Sequence, residues 1–83
     1  MIIEYVEDMA LQKGIKLSKV SLMETPYDYY ELVIASGHKS VTETIYKYQL
    51  DHMPNYNIEI KVNDALDRLS IMLEAYNLQV KAG

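Results

Sequence analysis

Residues 36–40, Ser-Gly-His-Lys-Ser, contain residue types that could hold an anion. A glycine allows close backbone approach, a lysine supplies positive charge, and free N–H groups at a helix start attract phosphate or carboxylate. The segment lacks the two spaced glycines of a nucleotide-binding P-loop. Ser40 and Glu43 also match a capping box, which indicates a helix start. A tight turn followed by a helix cap is the main expectation, and the alternative is an anion site formed by Gly37, His38, Lys39 and Ser40.

The two histidines, His38 and His52, raise the question of a metal site or an acid–base pair. A metal site would need further converging ligands, and the sequence contains no cysteine. Asp51 adjoins His52, but neighbouring residues on a helix diverge by about 100°. We expect no metal and no cofactor. The sequence also lacks a glycine-rich dinucleotide motif or a recognisable catalytic constellation, so we expect that the protein is not an enzyme.

Tyrosine supplies all the aromatic residues, since eight Tyr occur with no Phe or Trp. Tyr27 and Tyr29 are predicted to lie on the sheet face opposite the helices, where exposed rings can stack on bases. A net charge of −4 opposes contact with a phosphate backbone. Nucleic-acid or nucleotide binding through these tyrosines and the 36–40 loop is therefore the alternative, and not the preferred, function.

The composition, with 49% hydrophobic and 24% charged residues, is that of a globular protein, and 83 residues predict one domain spanning 1–83. The lack of cysteine excludes disulfides and is typical of a reducing compartment. No signal-peptide pattern or membrane-spanning run of about 18 apolar residues is visible, so we expect a cytoplasmic protein without membrane contact. The wealth of Lys, Ile, Tyr and Asn suggests A/T-rich codons, which favours a phage or mobile-element origin.

The first half of the chain predicts one helix and one hairpin. Residues 2–13 carry apolar side chains at helical spacing, and Gly14 is a natural stop. Residues 19–24 and 27–36 alternate as strands do, and Pro26 lies in the turn between them.

The second half predicts a helix over residues 41–53, capped by Ser40 and ended by Pro54. Residues 57–62 alternate between apolar and polar side chains, which indicates a strand. Asn63 or Asp64 then caps a helix that continues to about Tyr76. Residues 78–81 allow a short last strand.

The predicted fold class is α+β, a two-layer α/β sandwich with the order α-β-β-α-β-α(-β). Each strand has one apolar face, so the helices should pack on one face of a small mixed sheet. The second and third strands would be joined by a right-handed crossover if they are parallel.

The sheet face away from the helices is predicted to be unusually apolar. Met23, Tyr29, Val33 and Ala35 fall there, although a solvated face should be polar at these positions. Ile71 is a further apolar residue on the predicted outer side of the last helix. We therefore expect a small, acidic, non-enzymatic protein-binding module acting as a regulator, an inhibitor or an assembly accessory. Its simplest partner is itself, in a homodimer through the sheet face.

Overall fold

The structure, a computed structural model, describes residues 2–51 and 56–82, with side chains as far as residue 78. The elements in chain order are α1 Ile2–Gln12, β1 Lys19–Glu24, β2 Tyr29–Ser36, β3 Lys39–Tyr46, α2 Lys47–Leu50 and α3 Tyr56–Ala82.

The three strands form one antiparallel sheet in the order β1-β2-β3, with β2 in the centre. Val33 of β2, for example, lies opposite Ser21 of β1 and Thr42 of β3. The predicted α+β class, the first helix and the first hairpin are confirmed. The sheet is not mixed, and it contains no parallel pair and therefore no crossover among the described residues.

The predicted helix over residues 41–53 is wrong in its first half, which belongs to β3. Four of the six residues from 41 to 46 have β-branched side chains, which pack well on a pleated sheet: Val41, Thr42, Thr44 and Ile45. Ser40 pairs with Ala35 in the ladder and so is not a helix cap. The short helix α2 follows at residues 47–50, while His52, Met53 and the predicted stop at Pro54 lie outside the described residues.

The predicted strand over residues 57–62 is also wrong, because these residues form the start of α3. Ile58 and Val62 are buried at i,i+4 spacing, and Ile60 between them is 48% exposed. This is the pattern of one helical face and not of a strand. The predicted last strand over residues 78–81 is helical too. No glycine or proline interrupts residues 56–82, and the 27 residues of α3 extend for about 40 Å.

The core lies between one face of the sheet and the helices α1 and α3. The long helix α3 packs across β3 and β2, and α1 lies beside it against β1. Leu32 and Ile34 of β2 and Ile45 of β3 are completely buried. They meet the buried side chains of the helices, which are Ile2, Val6, Ala10, Ile58, Val62, Ala65, Leu66 and Leu69. The opposite face of the sheet carries no helix among the described residues.

Candidate functional site: the open face of the sheet

The open face is the side of the sheet that points away from α1 and α3. Because side chains alternate along a strand, the burial of Leu32 and Ile34 places Glu31, Val33 and Ala35 on the other side. The open face consists of Lys19, Ser21 and Met23 of β1, Tyr29, Glu31, Val33 and Ala35 of β2, and Ser40, Thr42, Thr44 and Tyr46 of β3.

The register arranges these residues in rows across the three strands. Three rows matter below, and we name each by its β2 residue: the Ala35 row is Lys19–Ala35–Ser40, the Val33 row is Ser21–Val33–Thr42, and the Glu31 row is Met23–Glu31–Thr44. Small and β-branched residues dominate the middle of the face, so few long side chains rise from its centre. The four sheet residues predicted for partner binding, Met23, Tyr29, Val33 and Ala35, therefore share one continuous surface.

One end of the open face carries a row of four tyrosines in ring contact. Tyr27 stacks on Tyr29 with centroids 5.9 Å apart, Tyr29 meets Tyr46 edge-on at 6.4 Å, and Tyr46 stacks on Tyr48 at 5.9 Å. Tyr27 and Tyr48, at the two ends of the row, are 66% and 61% exposed. Tyrosine combines a large apolar surface with a polar tip, and it is enriched at interfaces for that reason. The sequence prediction missed Tyr46 and Tyr48 because both were assigned to a helix.

Two lysines lie near this end of the sheet, Lys61 against the Tyr46 ring of the row and Lys47 over the Tyr30 ring on the covered side, and both are already engaged. The Lys61 Nζ lies 5.0 Å from the Tyr46 ring centroid and donates a 2.6 Å hydrogen bond to the Thr44 carbonyl oxygen. The Lys47 Nζ forms a 3.2 Å ion pair with Glu24. These ammonium groups are satisfied within the fold and thus give little free positive charge for a phosphate.

The open face itself carries charge at two positions, Lys19 and Glu31. Neither side chain has a hydrogen bond or an ion pair within the described part of the chain. Glu31 is partly buried between Met23 and Thr44 in the centre of the sheet. A carboxylate without a partner in the centre of this face favours a binding partner that brings a positive charge to it.

Ile71 does not join this surface. It is 65% exposed on the outer side of α3, and α3 lies on the covered face of the sheet. The structure therefore separates the predicted partner-binding residues into two surfaces on opposite sides of the molecule.

The 36–40 segment is the turn of the β2–β3 hairpin and does not precede a helix. Gly37 adopts φ +62°, and its N–H donates to the Ser18 Oγ at 3.1 Å. The Lys39 Nζ lies 5.6 Å from the Tyr76 ring centroid beside a cavity of about 190 Å³. The anion-binding prediction thus loses its main physical basis, the free N–H groups of a helix start. This turn also lies at the end of β2 remote from Tyr29, so the alternative nucleic-acid surface is split in two.

The residues described by the structure contain no group of three or more His, Asp or Glu side chains placed to hold a metal ion. None of the helices in the described ranges is long and apolar enough to cross a membrane. The site belongs to an α+β domain in which helices cover one face of a three-stranded antiparallel sheet. Comparison of the chain with protein-family models, with curated proteins and with solved structures finds no match.

Proposed function

We propose that this protein is a small, non-enzymatic protein-binding module that contacts its partner through the open face. The observation that carries the proposal is the character of that face: Met, Val, Ala and Tyr side chains lie among Ser and Thr, and the only charges on its strand positions are Lys19 and Glu31. A sheet face that is fully exposed to water is expected to carry polar or charged side chains, also at the positions held here by Met23, Val33 and Ala35. The lack of cysteine is typical of a reducing compartment, so we expect the interaction to take place in the cytoplasm.

The energetics of the face favour a protein partner. Met23 is 56% exposed, and the rings of Tyr27 and Tyr48 are also largely exposed. Burying apolar surface contributes about 25 cal/mol per Å², and the central Val33 row offers no charge that would have to be desolvated. A regulator, an inhibitor or an assembly accessory would use such a face in the same way.

The test is a carboxylate introduced at the centre of the face. In Val33→Asp the new charge is solvated in the free protein but desolvated without a partner in a complex, which costs several kcal/mol. We expect loss of self-association in sedimentation velocity, and loss of the proteins that the wild type captures from a cell extract. Ile71→Asp is the matched control, since it adds the same charge on the opposite side of the molecule.

A second variant keeps the test valid in case Val33→Asp does not fold. Thr42→Lys changes the neighbouring position on the edge strand β3, where lysine is well tolerated, and circular dichroism monitors the fold of each variant. The proposal is overturned if folded Val33→Asp and Thr42→Lys retain every interaction of the wild type, or if Ile71→Asp alone loses them. In the latter case the outer side of α3 is the interface.

The alternative function, nucleic-acid binding, is favoured by one observation, the contiguous tyrosine row. Base stacking on such rings is worth about 1–3 kcal/mol per base. The unpaired Glu31 and the net charge of −4 act against it. Fluorescence titration with a single-stranded oligonucleotide separates the two functions, because binding to phosphates weakens steeply with salt. Salt-sensitive binding that is lost in Tyr29→Ser would replace the protein-binding proposal.

A further inference from the structure

We propose that the partner of the open face is a second copy of this chain, in an antiparallel dimer that pairs Lys19 of each protomer with Glu31 of the other. This inference rests on the proposed function and names its partner. It follows from the symmetry of the face, from the positions of its two charges, and from the fit of the tyrosine row to the hairpin turn.

The two unpaired charges are placed symmetrically about the Val33 row. The Ala35 row, which contains Lys19, lies two residues along the strand from Val33 in one direction. The Glu31 row lies two residues away in the other direction. A rotation that exchanges these two rows therefore brings opposite charges together.

Two copies of one face pack against each other around a two-fold axis that lies in the plane between them. An axis parallel to the strands would place Glu31 over Glu31 of the second copy. Two like charges would then be desolvated together, which disfavours that arrangement. An axis across the strands, through the Val33 row, instead places the Glu31 row of each copy over the Ala35 row of the other. The charges thus select the antiparallel arrangement.

The distances in this arrangement suit an ion pair. Packed sheets lie about 10 Å apart and adjacent strands about 4.8 Å apart. Lys19 of the second copy lies over Met23, one strand away from Glu31. A lysine side chain can lay its apolar stem on Met23 and reach the neighbouring carboxylate. The symmetry forms this pair twice.

The tyrosine row finds a matching surface in the same arrangement. Tyr29 is four residues from Val33, and so is Gly37 in the opposite direction along the chain. Packed sheets are rotated by about 30° relative to each other, so the rings fall in the region of the second copy's β2–β3 turn, which contains Gly37 and His38, and not over single residues. Gly37 has no side chain, and the space where a Cβ would stand is open to 4 Å, so a ring can approach the turn. The rings at one end of the face are thus covered by the turn at the other end.

The size of the face predicts a reversible dimer. Three strands of up to eight residues give a footprint of about 400 Å² per protomer, against about 800 Å² per partner in a standard interface. Interfaces at this lower end are weak or transient. The association should therefore depend strongly on protein concentration.

The experiment is charge reversal followed by rescue, measured by sedimentation equilibrium of the full 83-residue chain over a concentration series at low salt. Lys19→Glu and Glu31→Lys should each weaken the dimer by about tenfold or more, because each places two like-charge pairs in the interface. The double variant restores both pairs with reversed polarity and should dimerise within a few-fold of the wild type. Glu74→Lys, an exposed position on α3, is the control for the change in net charge.

Zero-length carbodiimide cross-linking gives a second readout. It joins an ammonium group to a carboxylate in direct contact. Lys19 and Glu31 of one chain lie on different strands and two rows apart, too far to react with each other. A Lys19–Glu31 link between isotopically labelled and unlabelled chains is therefore specific to the dimer, and Val33→Asp should remove it.

The outcomes distinguish this inference from the proposed function. A wild type that is monomeric at every concentration would falsify the second-copy proposal, while capture of another protein that is lost in Val33→Asp would still support the protein-binding function. A dimer that Val33→Asp dissociates, but that charge reversal leaves unchanged, overturns the Lys19–Glu31 register. Rescue by the double variant together with the cross-link supports it.

Discussion

Arg68 of α3 forms an ion pair with Glu43, which lies on the covered face of the edge strand β3. The Glu43 side chain is 19% exposed, so its carboxylate is largely withdrawn from water. Arg68 also bonds Asp64 one helical turn earlier, at 3.1 Å. The guanidinium therefore joins the long helix to the strand that the sequence prediction had assigned to a helix.

Arg68→Ala should lower the free energy of unfolding by about 1–3 kcal/mol, because it leaves the Glu43 carboxylate without its partner in a mostly buried position. Urea denaturation followed by circular dichroism measures the change. Asp64→Ala is the control, since the Asp64 side chain is largely exposed, and it should change stability by less than about 0.5 kcal/mol. An equal loss in both variants would show that Arg68 acts only within α3.

Leu69→Ala should lower the free energy of unfolding by about 2–5 kcal/mol, because Leu69 is completely buried between α3 and the sheet and the smaller side chain leaves a cavity. Ile71→Ala, two residues away on the exposed side of the helix, should change it by less than about 0.5 kcal/mol. Similar denaturant midpoints for the two variants would contradict the assigned orientation of α3.

Gly37→Ala should destabilise the β2–β3 hairpin by about 1–2 kcal/mol, because Gly37 has φ +62° and a side chain is strained in that conformation. The space around the glycine is open, so the cost comes from the backbone alone. His38→Ala is the matched control, since no residue other than glycine has a positive φ in the described ranges. Thermal unfolding measures the stability of the two variants. A loss of stability in His38→Ala as large as that in Gly37→Ala would exclude backbone strain as the cause.

The Tyr5 hydroxyl should make the free energy of unfolding fall at alkaline pH. Burial, and then the negative charge of Glu59, raise the pKa of the Tyr5 hydroxyl above its usual 10.0, while Lys13 lowers it. The stabilisation is complete below about pH 10 and is lost as the pH rises further, because the unfolded chain ionises first. Tyr5→Phe should therefore lose less stability than the wild type between pH 9 and 11, roughly the range around the usual tyrosine pKa. Urea denaturation at a series of pH values measures the difference, and equal losses in the two proteins would contradict it.

Much of the fold could be predicted because its signals are local. The first helix has apolar residues at helical spacing followed by Gly14, and the first hairpin has two alternating runs around Pro26. The α+β class follows from these patterns, as does the placement of Met23, Tyr29, Val33 and Ala35 on one side of the sheet, although their neighbours Ser21 and Thr42 are polar. The same patterns led to the prediction that Leu69 is core and Ile71 is exposed, as the structure shows.

Residues 39–46 show what a local pattern cannot decide. The capping-box match of Ser40 and Glu43 and the i,i+4 spacing of Val41 and Ile45 favour a helix, whereas the β-branched side chains favour a strand. Two facts of the tertiary structure favour the strand: Gly37 allows a tight turn, and residues 39–46 pair with the edge of β2 along its whole length, which would otherwise stay unpaired.

The composition and spacing of the sequence by themselves determined the class of the fold, the buried stripe of α3 and the positions of the first two strands. Only the tertiary structure decided that Tyr46 and Tyr48 complete a tyrosine row with Tyr27 and Tyr29, and that Lys19 and Glu31 flank Val33 symmetrically. The physical reason is that these features depend on interactions that act over different distances along the chain. Helical and strand periodicity reflect neighbours in the chain, whereas the register between strands depends on hydrogen bonds between residues far apart in sequence.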